Sequence, residues 1–538
     1  MRVAGMASNR GRNLRRIADL APGGAEVAVI LTNDTDAPVL DAAEERGIPT
    51  AVVERSPGEE RERHEERLLD ALDGYDVDLV LLDGYMRVLT PRFLHDAPTT
   101  LNVHPSLLPA FPGQDAHEQV LDAGVRVTGC TVHVVTERVD EGPIVTQEPV
   151  PVYPTDDADS LKQRVLEEGE YAAYPRAVRW FAQNRVEVDY DVGEVRVAGD
   201  TAGERTEGTA FPSRRLTASE QVRDLRYGEN PHQDATLYAD GRETGPTVVH
   251  ADQLNEGAKG LSYNNYNDAD AAVELAREFD DPAAAVIKHT NPAGCAVADS
   301  LADAYADALA TDPKSAFGGV VALNRTCDAE TAELVTESFK EIVAAPAFTD
   351  DALAVLCDTD DLRVLELGSP ADAPFGADAA ADTTEVKLAG GRLVQDRDRQ
   401  APTTEDLTVP TERTPTDAEI ESMLFAWQTV KHVKSNAIVL AEGTETVGIG
   451  AGQVSRVDAV DLAAQKARAD AEDKRPEGSV MASDAFFPFP DGVEAAAEAG
   501  VEAVIQPGGS VNDDDVIAAA DDHDVAMAFT GTRAFRHD

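Results

Sequence analysis

At 538 residues the chain is too long for a single hydrophobic core, which predicts two or three domains. Its 100 acidic against 47 basic residues give a formal charge of -53, spread along the chain and not gathered in a tail. Such a surface repels nucleic acid and anionic membrane and reads as the hydrated exterior of a halophilic protein; no apolar run nears the roughly 20 residues of a membrane span and no signal-peptide core is seen, so a cytoplasmic location is expected. Cys130, Cys295, Cys327 and Cys357 have no CxxC spacing, so neither a metal site nor a disulfide framework is expected.

From the N-terminus, short apolar runs (RVAGM, EVAVILTN, TAVVE, VDLVLLDGY) alternate with amphipathic ones (NLRRIADL, APVLDAAEERG, RHEERLLDAL). That alternation predicts a doubly wound, mostly parallel α/β sheet. ASNRGRNL, residues 7 to 14, joins the first strand to the first helix, where backbone amides and the helix N-terminus make an anion site; taken alone it also reads as a plain strand-to-helix turn. In LNVHPSLLPAFPG, Asn102 and His104 alternate along a strand and share a face, and Pro105, Pro109 and Pro112 end that strand abruptly. The pair therefore sits at a strand carboxyl end, where open α/β sheets bind ligands.

RVDEGPI places Asp140 before a Gly-Pro turn, within reach of the same cleft. An amide, an imidazole and a carboxylate are the groups that formyl or acyl transfer to an amine requires: the first two stabilise the tetrahedral oxyanion, and the carboxylate holds the histidine charged and relays a proton through water. A hairpin-like stretch, GCTVHVVTERVDEGPIVTQEPVPV, is followed by a long helix from about Asp159 to Gln183, and the domain is complete by Val188. Residues 189–218 have linker composition, and a second α/β region covers 219–538, with a Pro/Thr-rich passage at 401–416 dividing it into two lobes.

NVHPSLLPAFPG, DGYMRVL and RVDEGPI, in that setting, resemble the folate-dependent glycinamide ribonucleotide (GAR) transformylase family over residues 1–188. The resemblance implies that Asn102, His104 and Asp140 are the catalytic trio and that Met86, Arg87, Val88 and Leu89 line the pterin pocket of 10-formyltetrahydrofolate. It also implies that Gly11, Arg12 and Asn13, with Arg61, hold the ribonucleotide phosphate, and that Glu170 meets the ribose or glycinamide end. The same trio serves relatives that hydrolyse formyltetrahydrofolate, so a hydrolase and a silent folate-binding module stand as alternatives.

LRYGENPHQ, VIKHTNPAG, SAFGG, VKSNAIV, GIGAGQVSR, ASDAFFPF and IQPGGS follow in order and resemble the aminoimidazole carboxamide ribonucleotide (AICAR) transformylase half of the bifunctional purine enzyme, over about 220–538. AICAR's conjugated amine is a poor nucleophile, so a base and a cation are both required; His289 is the expected base and Lys288 the expected cation and proton donor. The resemblance implies Arg226, Tyr227 and Asn265 at the nucleotide, Arg533 as a phosphate clamp, and Phe317, Gly318, Glu341 and Asn436 facing the folate or transition state. Arg456 and the segment from Phe486 to Phe489 would wall the site. It further implies a pair of cytidine-deaminase-like lobes and a homodimer through this half. The place of that enzyme's IMP cyclohydrolase domain is taken here by the first domain, so a separate cyclohydrolase is expected as a pathway partner.

Overall fold

Seven strands make the sheet of the first of two units, Met1–Leu216 and Thr217–Asp538, in a computed structural model that describes residues 1–190, 192–198, 211, 215–240, 247–255, 259–368 and 383–537. They are β1 (Arg2–Met6), β2 (Glu26–Thr32), β3 (Thr50–Val52), β4 (Leu79–Leu82), β5 (Thr100–His104), β6 (Val127–Val134) and β7 (Ile144–Pro151). Their order is β3-β2-β1-β4-β5-β6-β7; the first five run parallel, and β6 and β7 form the antiparallel hairpin. Inner strands such as β4 are buried at every position, as strands covered by helices on both faces must be. The order turns back at β1 and β4, so the carboxyl ends of β1, β4 and β5 form the crevice that open α/β sheets use for ligands.

The single helix expected from about Asp159 to Gln183 is divided. Helix Ala158–Arg164 passes into a π-helical segment, Val165–Glu170, and then helix Tyr171–Ala182, which contains Pro175. The wider turn of a π segment re-aims a side chain, and the side chain at its end is Glu170. Past residue 188 the chain makes a hairpin of β8 (Val186–Asp189) and β9 (Glu194–Val197), so the stretch read as linker opens on paired strands. Residues 191, 199–210 and 212–214 of that stretch lie outside the described residues.

The second unit opens with the ribbon β10 (Ser219–Leu225) and β11 (Ala235–Asp240). Its eleven-stranded sheet then draws on β12 (Asp252–Gln253), β13 (Ala283–Lys288), β14 (Asn291–Val297), β15 (Val320–Leu323), β16 (Ile342–Ala345) and β17 (Arg363–Glu366). A separate ribbon, β18 (Thr383–Leu388) and β19 (Gly391–Asp396), precedes the remaining sheet strands β20 (Ile438–Glu442), β21 (Glu445–Gly450), β22 (Val480–Ser483), β23 (Ala503–Gln506) and β24 (Ala526–Phe529).

Two lobes of one topology share the sheet. Each has a helix, an antiparallel hairpin and three further strands separated by helices, in the orders β14-β13-β15-β16-β17 and β21-β20-β22-β23-β24. The two sets meet along β14 and β21. Helices Tyr263–Ala276 and Asp417–Val430 cover one face with a core common to both lobes, in which Phe279 stacks on Phe425 at 5.4 Å and Trp427 is fully enclosed. On the other face each lobe has its own core. The second lobe begins at the Thr416 cap of its first helix, the last residue of the Pro/Thr-rich passage. No helix among the described residues is long and apolar enough to cross a membrane.

Candidate active sites

In the first unit the strand-end logic holds at atomic detail. His104 is the last residue of β5 and buried; its Nε2 donates to the Phe111 carbonyl at 2.8 Å, so its Nδ1 is the atom left facing Asp140 Oδ2 at 3.3 Å. Asp140 adopts a left-handed conformation (φ 59°) and its Oδ2 also accepts the Gly113 amide at 2.8 Å. Burial pushes the Asp140 carboxyl up, but the neighbouring His133 and His104 imidazoles and the Gly113 amide outweigh it, and its pKa lies below the ordinary carboxylate value.

His133 was not singled out from the sequence, because it lies inside the apolar strand β6. Its signal is register: it pairs directly with Asn102. Its Nδ1 donates to the Val134 carbonyl at 3.1 Å, which leaves Nε2 to accept from Asn102 Nδ2 at 3.1 Å and places it 3.6 Å from Asp140 Oδ1. Asn102, His104 and Asp140 are thus brought together, with His133 as their fourth member. His117, on helix Ala116–Ala123, is held near pKa 4 by burial and by the positive charges of Lys162 and His104.

The expected phosphate loop is corrected at one residue. Asn13 is buried, and its amide nitrogen Nδ2 donates to Asp83 Oδ1 at 3.2 Å and Glu170 Oε2 at 2.6 Å. Its backbone N–H donates to Asp83 Oδ2 at 2.8 Å, and that of Leu14 does so at 3.3 Å. The helix N-terminus is therefore capped by the carboxylate of Asp83, and Asn13 has no donor left for a phosphate. Gly11, in the left-handed region (φ 52°), is buried, and half-buried Arg12 reaches Gln163 Oε1 with its guanidinium at 3.2 Å. Arg61 donates to the Val88 carbonyl, bracing the loop of Met86, Arg87, Val88 and Leu89, of which Leu89 alone is buried. Burial raises the pKa of Asp83, and burial, opposed by Asn13 and reinforced by Asp83, pushes Glu170 up to about 7.

In the second unit Lys288 ends β13 and donates from Nζ to the Gly318 carbonyl at 2.6 Å, while His289 occupies the exposed turn that follows. Lys288 and His289, with Asn291, Ser315, Ile449, Leu462 and Lys466 among their neighbours, line a cavity of about 220 Å³. Gly318 has φ +67°, and a Cβ there would meet Lys288 Nζ at 3.2 Å. Phe317 is exposed and tilts against Phe339 at 5.5 Å. Asn265 closes the capping box of helix Tyr263–Ala276, its Oδ1 accepting the backbone N–H of the Ser262 cap, and donates to Glu341 Oε2 at 2.8 Å, which joins two expected site residues.

Asn436 and Arg456 form a bracket that uses up the Asn436 amide. Asn436 Oδ1 accepts from Arg456 Nη2 at 2.8 Å, and Asn436 Nδ2 donates to the carbonyls of Gln453 and Val454, each at 2.9 Å. Arg456 also pairs with the buried Asp484, a residue passed over within ASDAFFPF. The aromatic segment is split: Phe486 and Phe489 are exposed, but Phe487 packs in the core of the second lobe and does not wall a site. Arg226 lies over the Tyr227 ring at 4.7 Å, and Arg533 over Phe535 at 5.0 Å, all exposed or half-buried.

Residues 177–466, more than half of the chain, match the family described as AICARFT/IMPCHase bienzyme. The chain belongs to the AICARFT/IMPCHase bienzyme family. Residues 1–178 match the formyl transferase family, so the N-terminal sheet is a formyl transferase fold and the chain is of the α/β class. Curated relatives of this bienzyme-family chain include the bifunctional purine biosynthesis protein PurH of Mesorhizobium japonicum, 54% identical over 58% of each chain, and that of Halalkalibacterium halodurans, 45% identical over 65% of each. The chain thus spans about three fifths of the length of the relatives it matches. A glycinamide ribonucleotide transformylase 1 from Symbiobacterium toebii is 40% identical over 37% of this chain and 94% of its own, with a TM-score of 0.35.

Proposed function

We propose that this chain is a double formyltransferase of purine biosynthesis, moving the formyl group of 10-formyltetrahydrofolate to GAR in its first unit and to AICAR in its second. The observation that carries the reading is that each unit, matched to a formyltransferase family of its own, ends an inner strand in a cluster of groups fit for formyl transfer.

In the first unit the amine attacks the formyl carbonyl, the Asn102 amide and the His104 Nε2–H, on leaving the Phe111 carbonyl that it meets here, stabilise the developing oxyanion, and Asp140 relays the ammonium proton through water. His133 orients Asn102 from across the strand pair. Met86 to Leu89 receive the pterin, and Glu170, poised near neutrality, meets the substrate's donors. In the second unit His289 takes the proton of the weakly nucleophilic amine, and Lys288 supplies charge to the oxyanion and a proton to the leaving nitrogen. Phe317, Gly318 and Glu341 are assigned to the folate, and Arg226, Tyr227, Asn265 and Arg533 to the nucleotide. A homodimer through this unit is part of the reading, supported by wholly exposed Val454 and Val511 and by exposed Phe317 and Phe489. The proposed domain limits are 1–188, 189–218 and 219–538.

Closure of formyl-AICAR to IMP is assigned to a separate cyclohydrolase. Support for this is that residues 1–178 match the formyl transferase family and that the PurH relatives match over only about three fifths of their length. Purified protein given 10-formyltetrahydrofolate with GAR and AICAR in separate reactions tests the proposal. Formyl-GAR and formyl-AICAR are expected, without IMP. Formate release that ignores GAR would make the first unit a hydrolase, and catalytic IMP formation would place a cyclohydrolase in this chain.

A further inference from the structure

The hairpin that delivers His289 turns through residues ill suited to it. β13 and β14 are paired as far as Lys288 and Asn291, so the turn has two central residues, His289 and Thr290, with φ of 52° and 61°. Two left-handed residues in a row define the tight turn that favours Asn-Gly, because a Cβ, and above all a branched one, is crowded there. Among the described residues Thr290 is the one β-branched residue with positive φ. The matching hairpin of the second lobe pairs Glu442 with Glu445 and turns through Gly443, at φ 56°, and Thr444. One lobe uses glycine for the left-handed step, and the lobe with the reactive pair does not.

Something outside the turn must then hold it. The Thr290 amide points away from the hairpin ladder and donates to Asp268 Oδ1 at 2.8 Å, from helix Tyr263–Ala276. Within the turn, Thr290 Oγ1 and Asn291 Nδ2 donate to the His289 carbonyl at 2.7 and 3.2 Å, and Asn291 Oδ1 accepts the Lys434 amide at 3.0 Å.

We propose that Asp268 is a positioning residue for the second site: by accepting the Thr290 amide it fixes the left-handed His289-Thr290 turn and so aims His289 at the reacting amine. This rests on the reading of His289 as the base. The role belongs to the acceptor oxygen and not to the negative charge, and glycine at 290 makes the anchor dispensable.

The test uses the full chain and four variants: D268N, which keeps a carbonyl oxygen in place; D268A, which removes it; T290G; and the double variant D268A/T290G. D268A is expected to lower kcat for AICAR formylation by on the order of 10-fold to 100-fold, as for a misplaced reacting group, with KM within about twofold. D268N retains most of the wild-type rate, and D268A/T290G regains most of what D268A lost. A D268A enzyme as fast as an active wild type overturns the proposal, as does a D268N enzyme no better than D268A, or a folded double variant with no recovery. Melting temperature gives an answer that does not depend on the reaction: T290G must raise Tm more in the D268A background than in the wild type. An equal effect in both backgrounds refutes the anchor, whereas absence of AICAR formylation by the wild type, with the Tm pattern intact, sinks only the functional reading.

Discussion

Replacing Glu170 with glutamine tests the electrostatics around the first helix. Glu170 Oε2 accepts a hydrogen bond from the Asn13 amide nitrogen at 2.6 Å, beside the buried Asp83, and its pKa stands at about 7 against an ordinary 4.5. The folded chain therefore keeps a proton that the unfolded chain loses between those values. Stability must fall as pH rises through that window, by at most about 3 kcal/mol, and then level off. Glutamine has no proton to lose, keeps an oxygen for Asn13, and brings an N–H for the otherwise unpartnered Asn13 Oδ1. The stability difference between E170Q and wild type should thus grow in favour of the variant by about 3 kcal/mol between pH 4.5 and pH 8. Urea unfolding followed by Trp180 fluorescence, in a W427F background at one potassium chloride concentration, reports the first unit alone, since the chain has two tryptophans, one in each unit. A difference that does not change with pH would refute the assignment of the raised carboxyl to Glu170.

Lys288→Ala and His289→Ala should each reduce AICAR turnover by roughly 10² to 10⁴ while nucleotide affinity, measured by calorimetry, is mostly kept. Asp140, with its pKa depressed, contributes stability above its unfolded value near 3.8 that is lost as pH falls through the folded value, so D140N should flatten the acid limb of the stability curve. Gly11→Ala puts a Cβ 2.4 Å from Val39 Cγ2 at a left-handed position and should cost about 1–3 kcal/mol by urea titration. With a formal charge of -53, melting temperature should climb with potassium chloride as repulsion is screened; a flat profile removes the halophilic reading.

What the sequence disclosed was whatever periodicity and punctuation mark. The prolines after His104 mark a strand end, and β5 stops there. Cross-strand neighbours carry no such mark: His133 reaches Asn102 only through the β5–β6 register, and Asp83 caps a helix through the amide of Asn13, 70 residues earlier. Motif membership also blurs orientation. Phe486, Phe487 and Phe489 are nearly consecutive, yet Phe487 faces the core while its neighbours face solvent. Likewise Asn436 is expected at the site from its motif, but its amide is spent on Arg456 and two carbonyls, bonds that no single-chain spacing foretells. The two-lobed repeat is visible in strand order and not in residues, because small apolar strands such as AAAVIK and IVLAE tolerate almost any exchange of like for like.

The central claim, two independent formyl transfers on one chain, is tested most directly by a crossed assay: wild type, His104→Ala and Lys288→Ala, each supplied with 10-formyltetrahydrofolate and either GAR or AICAR. The account predicts that His104→Ala loses formyl-GAR and keeps formyl-AICAR, and that Lys288→Ala does the reverse. Loss of both products in either folded variant, or formation of neither by the wild type, would contradict it.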